Sequence, residues 1–215
     1  DDKQHVVLVD AGYYDNGKEI CKFVRERYGT YTIDLAICTH CDDDHYGGFI
    51  YILEEMLNHP NESVDIKKIL INDPGDCITE EDVKWYENRD NVIKEARTVY
   101  ESHDTNLLEL IDKVKEKRNL VSEQAFSDGH WSEFDGLIDI IAPSSSYYRS
   151  QALLFRNKLQ AYDYVLEDDE DDAIELPATK KVFSKKLKGK DPSSHNKSSI
   201  IFLFKPSDGK TFLFT

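Results

Sequence analysis

Two hydrophobic periods alternate along the first third of the chain. His5–Asp10 (HVVLVD) is a short apolar run that ends in an acid and then Ala11-Gly12, which predicts a buried strand closing in a turn. Lys18–Tyr28 places Ile20, Phe23 and Val24 on one helical face and stops at Gly29, a natural C-cap. Ile33–Cys38 (IDLAIC) reads as a second strand, which delivers Thr39-His40 at its C-terminal end. Gly47-Gly48 then opens a helix through Leu57, and Val64–Ile71 is the next strand. Strand, helix, strand, loop, helix, strand is the alternation of an α/β fold. Ligands in open α/β sheets collect beyond the carboxyl ends of strands, and Asp10 and the 39–48 loop both fall at such ends.

Further along, residues 79–120 are helical in composition and polar outside, with Thr79 as a cap and Glu80, Glu81 and Asp82 in the first turn. This segment reads as a helical insertion or a covering layer. Leu137–Ala142 is another buried strand, closed by Pro143, and Ser146–Leu166 reads as an amphipathic helix. Glu167–Asp172 is a run of six acids and Lys180–Lys190 holds six lysines. Together, 167–190 reads as an acidic-then-basic loop that is solvated and mobile. Its lysines either grip an anionic substrate or pair with the acids, and charge runs favour the second. Ser198–Phe204 and Thr211–Phe214 form a hairpin around Pro206-Ser207-Asp208-Gly209. There is no internal repeat.

Composition narrows the class. The 215 residues fit one domain with a full core, with 40% apolar and 32% charged positions. No stretch is long enough to span a bilayer, and no signal peptide is visible. The chain starts at Asp1 rather than Met, so a missing natural N-terminus stays open. A net charge of −15 disfavours a broad basic face for duplex nucleic acid. It leaves room for a small anionic substrate, or a nucleic-acid strand, drawn in by a bound cation. Of the four cysteines, Cys38 and Cys41 form a CxxC. A redox pair belongs at a helix N-terminus, and the nearest helix start falls further on, near Gly48. A zinc half-site needs a second ligand pair. The remaining reading is reduced thiols in a cytoplasmic protein.

The chemistry is concentrated in Thr39-His40-Cys41-Asp42-Asp43-Asp44-His45-Tyr46-Gly47-Gly48. His40, Asp42, Asp44 and His45 lie within six residues, and imidazole with carboxylate suits Zn²⁺, Mn²⁺ or Fe. Gly47-Gly48 would let the backbone turn tightly into a helix whose N-terminus faces the site. The alternative is an acidic surface loop with two incidental histidines.

These residues resemble the metallo-β-lactamase superfamily signature T-H-x-H-x-D-H-x-G-G. Asp42 stands where the second His is usual, and that form is similar to the hydrolase-like domain of the ComEC DNA-uptake proteins. Val9-Asp10-Ala11-Gly12, Ile33-Asp34-Leu35, Ile140-Ile141-Ala142-Pro143 and His195-Asn196-Lys197-Ser198-Ser199-Ile200-Ile201 match in order. The resemblance implies an αββα sandwich, incomplete at both ends: a leading hairpin and a Gly-Asp beyond Thr215 are missing. It also implies a divalent centre of one or two ions, Zn²⁺ or Mn²⁺. His40, Asp42 and a later His would hold one ion, and Asp44 and His45 the second, with Asp44 catalytic and Asp10 supporting the loop. The anionic Asp42 would shift preference toward Mn²⁺ or Mg²⁺.

His195 is the best candidate for the later ligand, although a competing alignment puts it at an Asn position and makes it a bystander. His130 reads as a turn residue, and His5, His59 and His103 lack supporting context. Cys41 reads as a buried thiol pointing away from the ions. Trp85, Tyr86, Tyr147 and Tyr148 read as packing aromatics rather than a pocket lining. The resulting expectation is a metal-dependent hydrolase that acts on a phosphodiester or other anionic ester through metal-activated water. The alternatives are a non-catalytic binding or scaffold module of the same fold, and a lactonase or thioesterase.

Overall fold

The computed structural model describes residues 4–84, 89–155, 193–206 and 208–214. Trp85, Tyr86, the expected helix beyond residue 155, the acidic run and the lysine block lie outside the described residues. Strands β1 (Val7–Val9), β3 (Leu35–Ile37), β5 (Lys68–Leu70) and β8 (Val121–Glu123) form a parallel sheet in the order β1-β3-β5-β8. Just ahead of β3 and β5, the short strands β2 (Thr32–Ile33) and β4 (Asp65–Ile66) pair in parallel as a separate two-stranded sheet. A second sheet is antiparallel, in the order β12-β11-β10-β9, from β9 (Ser132–Glu133), β10 (Ile138–Ala142), β11 (Ile201–Phe204) and β12 (Phe212–Phe214). The protein is therefore mixed α/β.

Alternation along the central strands explains the layering. Leu35, Ile37 and Leu70 bury against Ile138, Ile140, Ile200 and Phe202 of the antiparallel sheet. Ala36 and Ile69 point the other way, into a cluster with Phe49, Ile52 and Leu53. These last belong to helix α2 (Asp43–Asn58), which packs on helix α1 (Tyr14–Tyr28). Both faces of the central strands β3 and β5 are thereby dry, while Val7 of β1 and Val121 of β8 are exposed at the sheet edges, and the strand ends are the exits from the core.

Two sequence expectations need correction here. Helix α1 begins at Tyr14 and buries Gly17, Cys21 and Val24, whereas Phe23 is 55% exposed and meets Tyr28 edge-on. The buried stripe is set by Gly17, where a Cβ would sit 2.5 Å from the Gly48 carbonyl oxygen. Phe23 lies off that stripe. Helix α2 begins at Asp43, not at Gly47-Gly48. The glycines serve close approach instead of a turn. A Cβ on Gly48 would stand 2.1 Å from the Ala11 carbonyl oxygen, and one on Gly47 2.8 Å from the Tyr14 nitrogen. In that gap Ala11 N–H donates to the His45 carbonyl (2.7 Å) and Gly48 N–H to the Gly12 carbonyl (2.8 Å).

The 79–120 segment contributes directly to the core. Helix α3 (Pro74–Cys77) precedes helix α4 (Glu80–Val83), which starts at a Thr79–Asp82 capping box. Helix α5 (Arg89–Arg97) follows, then the short hairpin β6 (Glu101–Ser102) and β7 (Thr105–Asn106). Helix α6 (Leu107–Lys117) is capped by Asn106, whose Oδ1 accepts from Leu108 and Glu109 N–H. Its Leu107, Leu110, Ile111 and Val114 are buried, and it packs along α2. Each such side chain is worth about 1.5–3 kcal/mol of burial. Helix α7 (Ser145–Ala152) ends at Ala152, shorter than its apolar pattern predicts, because the chain turns through Leu153-Leu154. Tyr148 from this helix, with Tyr100, donates its hydroxyl to the Asn72 carbonyl just past β5.

Because the Gly48 contact is backbone against backbone, Gly48→Ala should destabilise by about 3 kcal/mol or more. Gly29→Ala, at φ 63° with nothing within 4 Å, should cost only the left-handed penalty of about 1–2 kcal/mol. Urea unfolding of the two variants beside the parent measures this contrast.

Candidate functional site

Parallel pairing of β1 with β3, with Val9 opposite Ile37, brings the two strand exits side by side. Asp10 leaves β1 in a left-handed conformation, φ 54°, which an Asp tolerates better than most residues. That turn folds its carboxylate back over the loop leaving β3. Oδ1 accepts the Thr39 N–H at 2.8 Å; Oδ2 accepts the Thr39 hydroxyl at 2.8 Å and faces His45 Nδ1 at 2.7 Å. Thr39 Oγ1 in turn lies 2.9 Å from His40 Nδ1. The His40 and His45 rings sit 3.9 Å apart, tilted by 47°.

Asp42 is the N-cap residue of α2 by backbone geometry, yet its side chain makes no capping bond. Its carboxylate turns outward from the helix. Oδ2 is 3.5 Å from His40 Nε2, and Oδ1 is 2.7 Å from His195 Nδ1. His195 arrives from 153 residues away. It sits on helix α8 (Ser194–Lys197), which begins at a Ser193 cap and is closed by the Ser198 hydroxyl donating to the His195 carbonyl. Its ring stands edge-on to buried Phe155. The Ile200 N–H donates to the Thr39 carbonyl at 2.8 Å, tying the start of β11 to the motif loop.

The structure thus brings Asp10, His40, Asp42, His45 and His195 into one connected set at the carboxyl ends of β1 and β3. Asp44 is its outermost neighbour, half exposed, with Oδ2 3.9 Å from His45 Nε2. Asp42 to His45 occupy the α2 N-terminus, where the helix dipole favours negative charge. The remaining described histidines lie elsewhere. His5 stacks on Phe134, His59 pairs with Glu55 and His103 packs on Tyr14, while His130 is an exposed turn residue with φ 50°. Tyr148 is a core residue and Tyr147 is exposed.

Burial pushes the His40 pKa down, the neighbouring His45 adds to this, and Asp42, Asp10 and Asp44 oppose it. His40 Nε2 is buried and has no hydrogen-bond partner, and Asp43 Oδ1 shares that condition. Among the described residues, no three His, Cys, Asp or Glu side chains converge on one point as a preformed metal cage; the donors pair with one another. Cys38 and Cys41 are free and buried, and burial pushes both thiols well above the ordinary range. The expectation that no helix N-terminus lies near the CxxC fails, since α2 starts two residues after Cys41. That position does not activate the thiols, because desolvation dominates. No helix among the described residues is long and apolar enough to cross a membrane.

Thr39 had no role assigned from its sequence. The available signal was a hydroxyl residue between an apolar strand end and a histidine, with an acid at the end of the preceding strand. Comparison of the chain with protein-family models, curated proteins and solved structures finds no match.

The lowered His40 value has a consequence for stability. Between the folded-state value and the ordinary 6.5, the unfolded chain binds more protons than the folded one. The stabilisation is therefore complete above about 6.5 and declines as pH falls toward the folded-state value. Chemical denaturation of metal-free protein across this range should show a decline that is shallower in His40→Gln. Parallel profiles for the two proteins would exclude His40 as the source.

Proposed function

We propose that the chain is a metal-dependent hydrolase with a metallo-β-lactamase-like αββα arrangement, acting on a phosphodiester or other anionic ester. The observation that carries this reading is the buried Nε2 of His40, which makes no hydrogen bond and lies 3.5 Å from the Asp42 carboxylate. An uncompensated buried nitrogen costs stability, about 1–3 kcal/mol for a neutral group, unless a ligand compensates. The donor set fits a divalent ion, since imidazole and carboxylate are its ordinary ligands. Nδ1 of His45 faces the Asp10 carboxylate, the outer-shell contact that metal-ligating histidines commonly make.

In this reading His40, Asp42 and His195 hold one divalent ion, Zn²⁺ or Mn²⁺, and Asp44 with His45 hold a second. The bound metal would supply Lewis acidity and a hydroxide nucleophile at neutral pH. The protein residues do the rest. Asp10 orients His45 and the Thr39 backbone. Asp42 keeps His195 in place with Oδ1 while Oδ2 remains beside His40. Half-exposed Asp44 stands at the rim, where it can accept a proton from an incoming water. The α2 N-terminus favours the carboxylates of Asp42, Asp43 and Asp44, so an anionic substrate would depend on the charge of the bound ion.

Purified full-length chain, dialysed against Mn²⁺ or Zn²⁺ and analysed for metal, should retain one or two ions and hydrolyse a generic phosphodiester such as bis(p-nitrophenyl) phosphate. His40→Ala should lose both while its circular dichroism is unchanged. Full activity in that variant would overturn the reading. An unmodified protein with no bound ion and no hydrolysis would instead favour a binding or scaffold module. Turnover confined to lactones or thioesters would reassign the substrate class.

A further inference from the structure

We propose that the Thr39 hydroxyl is a positioning group that fixes the tautomer of His40, so that Nδ1 carries the hydrogen and Nε2 the lone pair. The inference follows from counting protons. A threonine hydroxyl has one hydrogen and two lone pairs, whereas a carboxylate only accepts. Asp10 Oδ2, 2.8 Å from Thr39 Oγ1, therefore takes the hydroxyl hydrogen. Toward His40 Nδ1, 2.9 Å away, the oxygen has only a lone pair left and must accept. The imidazole hydrogen is then on Nδ1.

A competing acceptor makes this selection consequential. Asp42 Oδ2 stands 3.5 Å from His40 Nε2 on the opposite edge of the ring. Without the Thr39 oxygen, the ring would gain most by placing its hydrogen on Nε2 and donating to Asp42. The lone pair would then move to Nδ1, turned back toward the strand end. Thr39 is buried and its N–H is held separately by Asp10 Oδ1. Removing the hydroxyl therefore leaves the backbone anchor in place. Asp10 acts on both neighbouring histidines, directly on His45 Nδ1 and through Thr39 on His40 Nδ1.

Thr39→Val removes the hydroxyl at nearly constant shape, and Thr39→Ser restores it. In ¹⁵N-labelled, metal-stripped full-length protein at mildly alkaline pH, long-range ¹H–¹⁵N correlation reports the His40 tautomer; the resonance is assigned by its loss in His40→Gln. The unmodified protein and Thr39→Ser should show the Nδ1–H form, and Thr39→Val the Nε2–H form. An Nε2–H form in the unmodified protein, or an Nδ1–H form persisting in Thr39→Val, would overturn the proposal. If Thr39→Val fails to fold, the unmodified protein and Thr39→Ser still decide, since loss of the Nδ1–H form in Thr39→Ser also overturns it. A second arm rests on the proposed metal-dependent function. There Mn²⁺ affinity should fall about 10–100-fold in Thr39→Val and recover in Thr39→Ser. Failure of the unmodified protein to bind metal would count against that function alone, because the tautomer is read without metal.

Discussion

The close approach of the loop after β1 to the first turns of α2 constrains everything around it. Ala11 and Gly12 lie against Gly48 so tightly that no side chain fits, and two backbone hydrogen bonds cross the contact. Burying those backbone groups would be costly without the bonds, so loop and helix hold each other in one register. With the loop seated there, Asp10 faces Thr39 and His45 within hydrogen-bond range. A displacement of α2 by even one methyl group would carry His45 and Asp42 away from their partners.

The electrostatic character of the site follows from that seating. The chain carries a net charge of −15, yet three imidazoles gather where two strands end and a helix begins. Each has its Nδ1 near an oxygen: the Thr39 hydroxyl, the Asp10 carboxylate or the Asp42 carboxylate. Those contacts use one nitrogen of each ring and leave the other. At His40 the remaining nitrogen is buried without a partner, and desolvation holds the ring neutral to lower pH than usual. Neutral imidazole is the form that binds a metal or accepts a proton.

The antiparallel sheet contributes more than a second layer. Ile200 and Phe202 bury against Leu35 and Ile37, and the Ile200 N–H is bonded to the Thr39 carbonyl. The segment that leads into β11 is therefore fixed relative to the motif loop, and His195 is carried with it onto Asp42. Phe155 supplies an apolar wall on the other side of that ring.

Local patterns in the sequence determined strands β1, β3, β5 and β10, the α/β alternation, the Gly29 stop, the β11–β12 hairpin and the placement of Asp10 and the His40–His45 loop at strand ends, but not β8, the fourth strand of the parallel sheet. These depend on periodicity and on spacing within a few residues, which a linear reading captures. The tertiary structure alone decided the start of α2 at Asp43, the exposure of Phe23 and the reason for Gly47-Gly48. Each is set by which helix face meets which loop, a choice that propensity leaves free. His195 on Asp42 spans 153 positions, and no local signal could separate that pairing from a histidine idle in a loop. The part played by Thr39 was hidden for a further reason. A hydroxyl acquires a direction only when a carboxylate from another strand takes its single hydrogen, and the parallel pairing of β1 with β3 supplies that carboxylate.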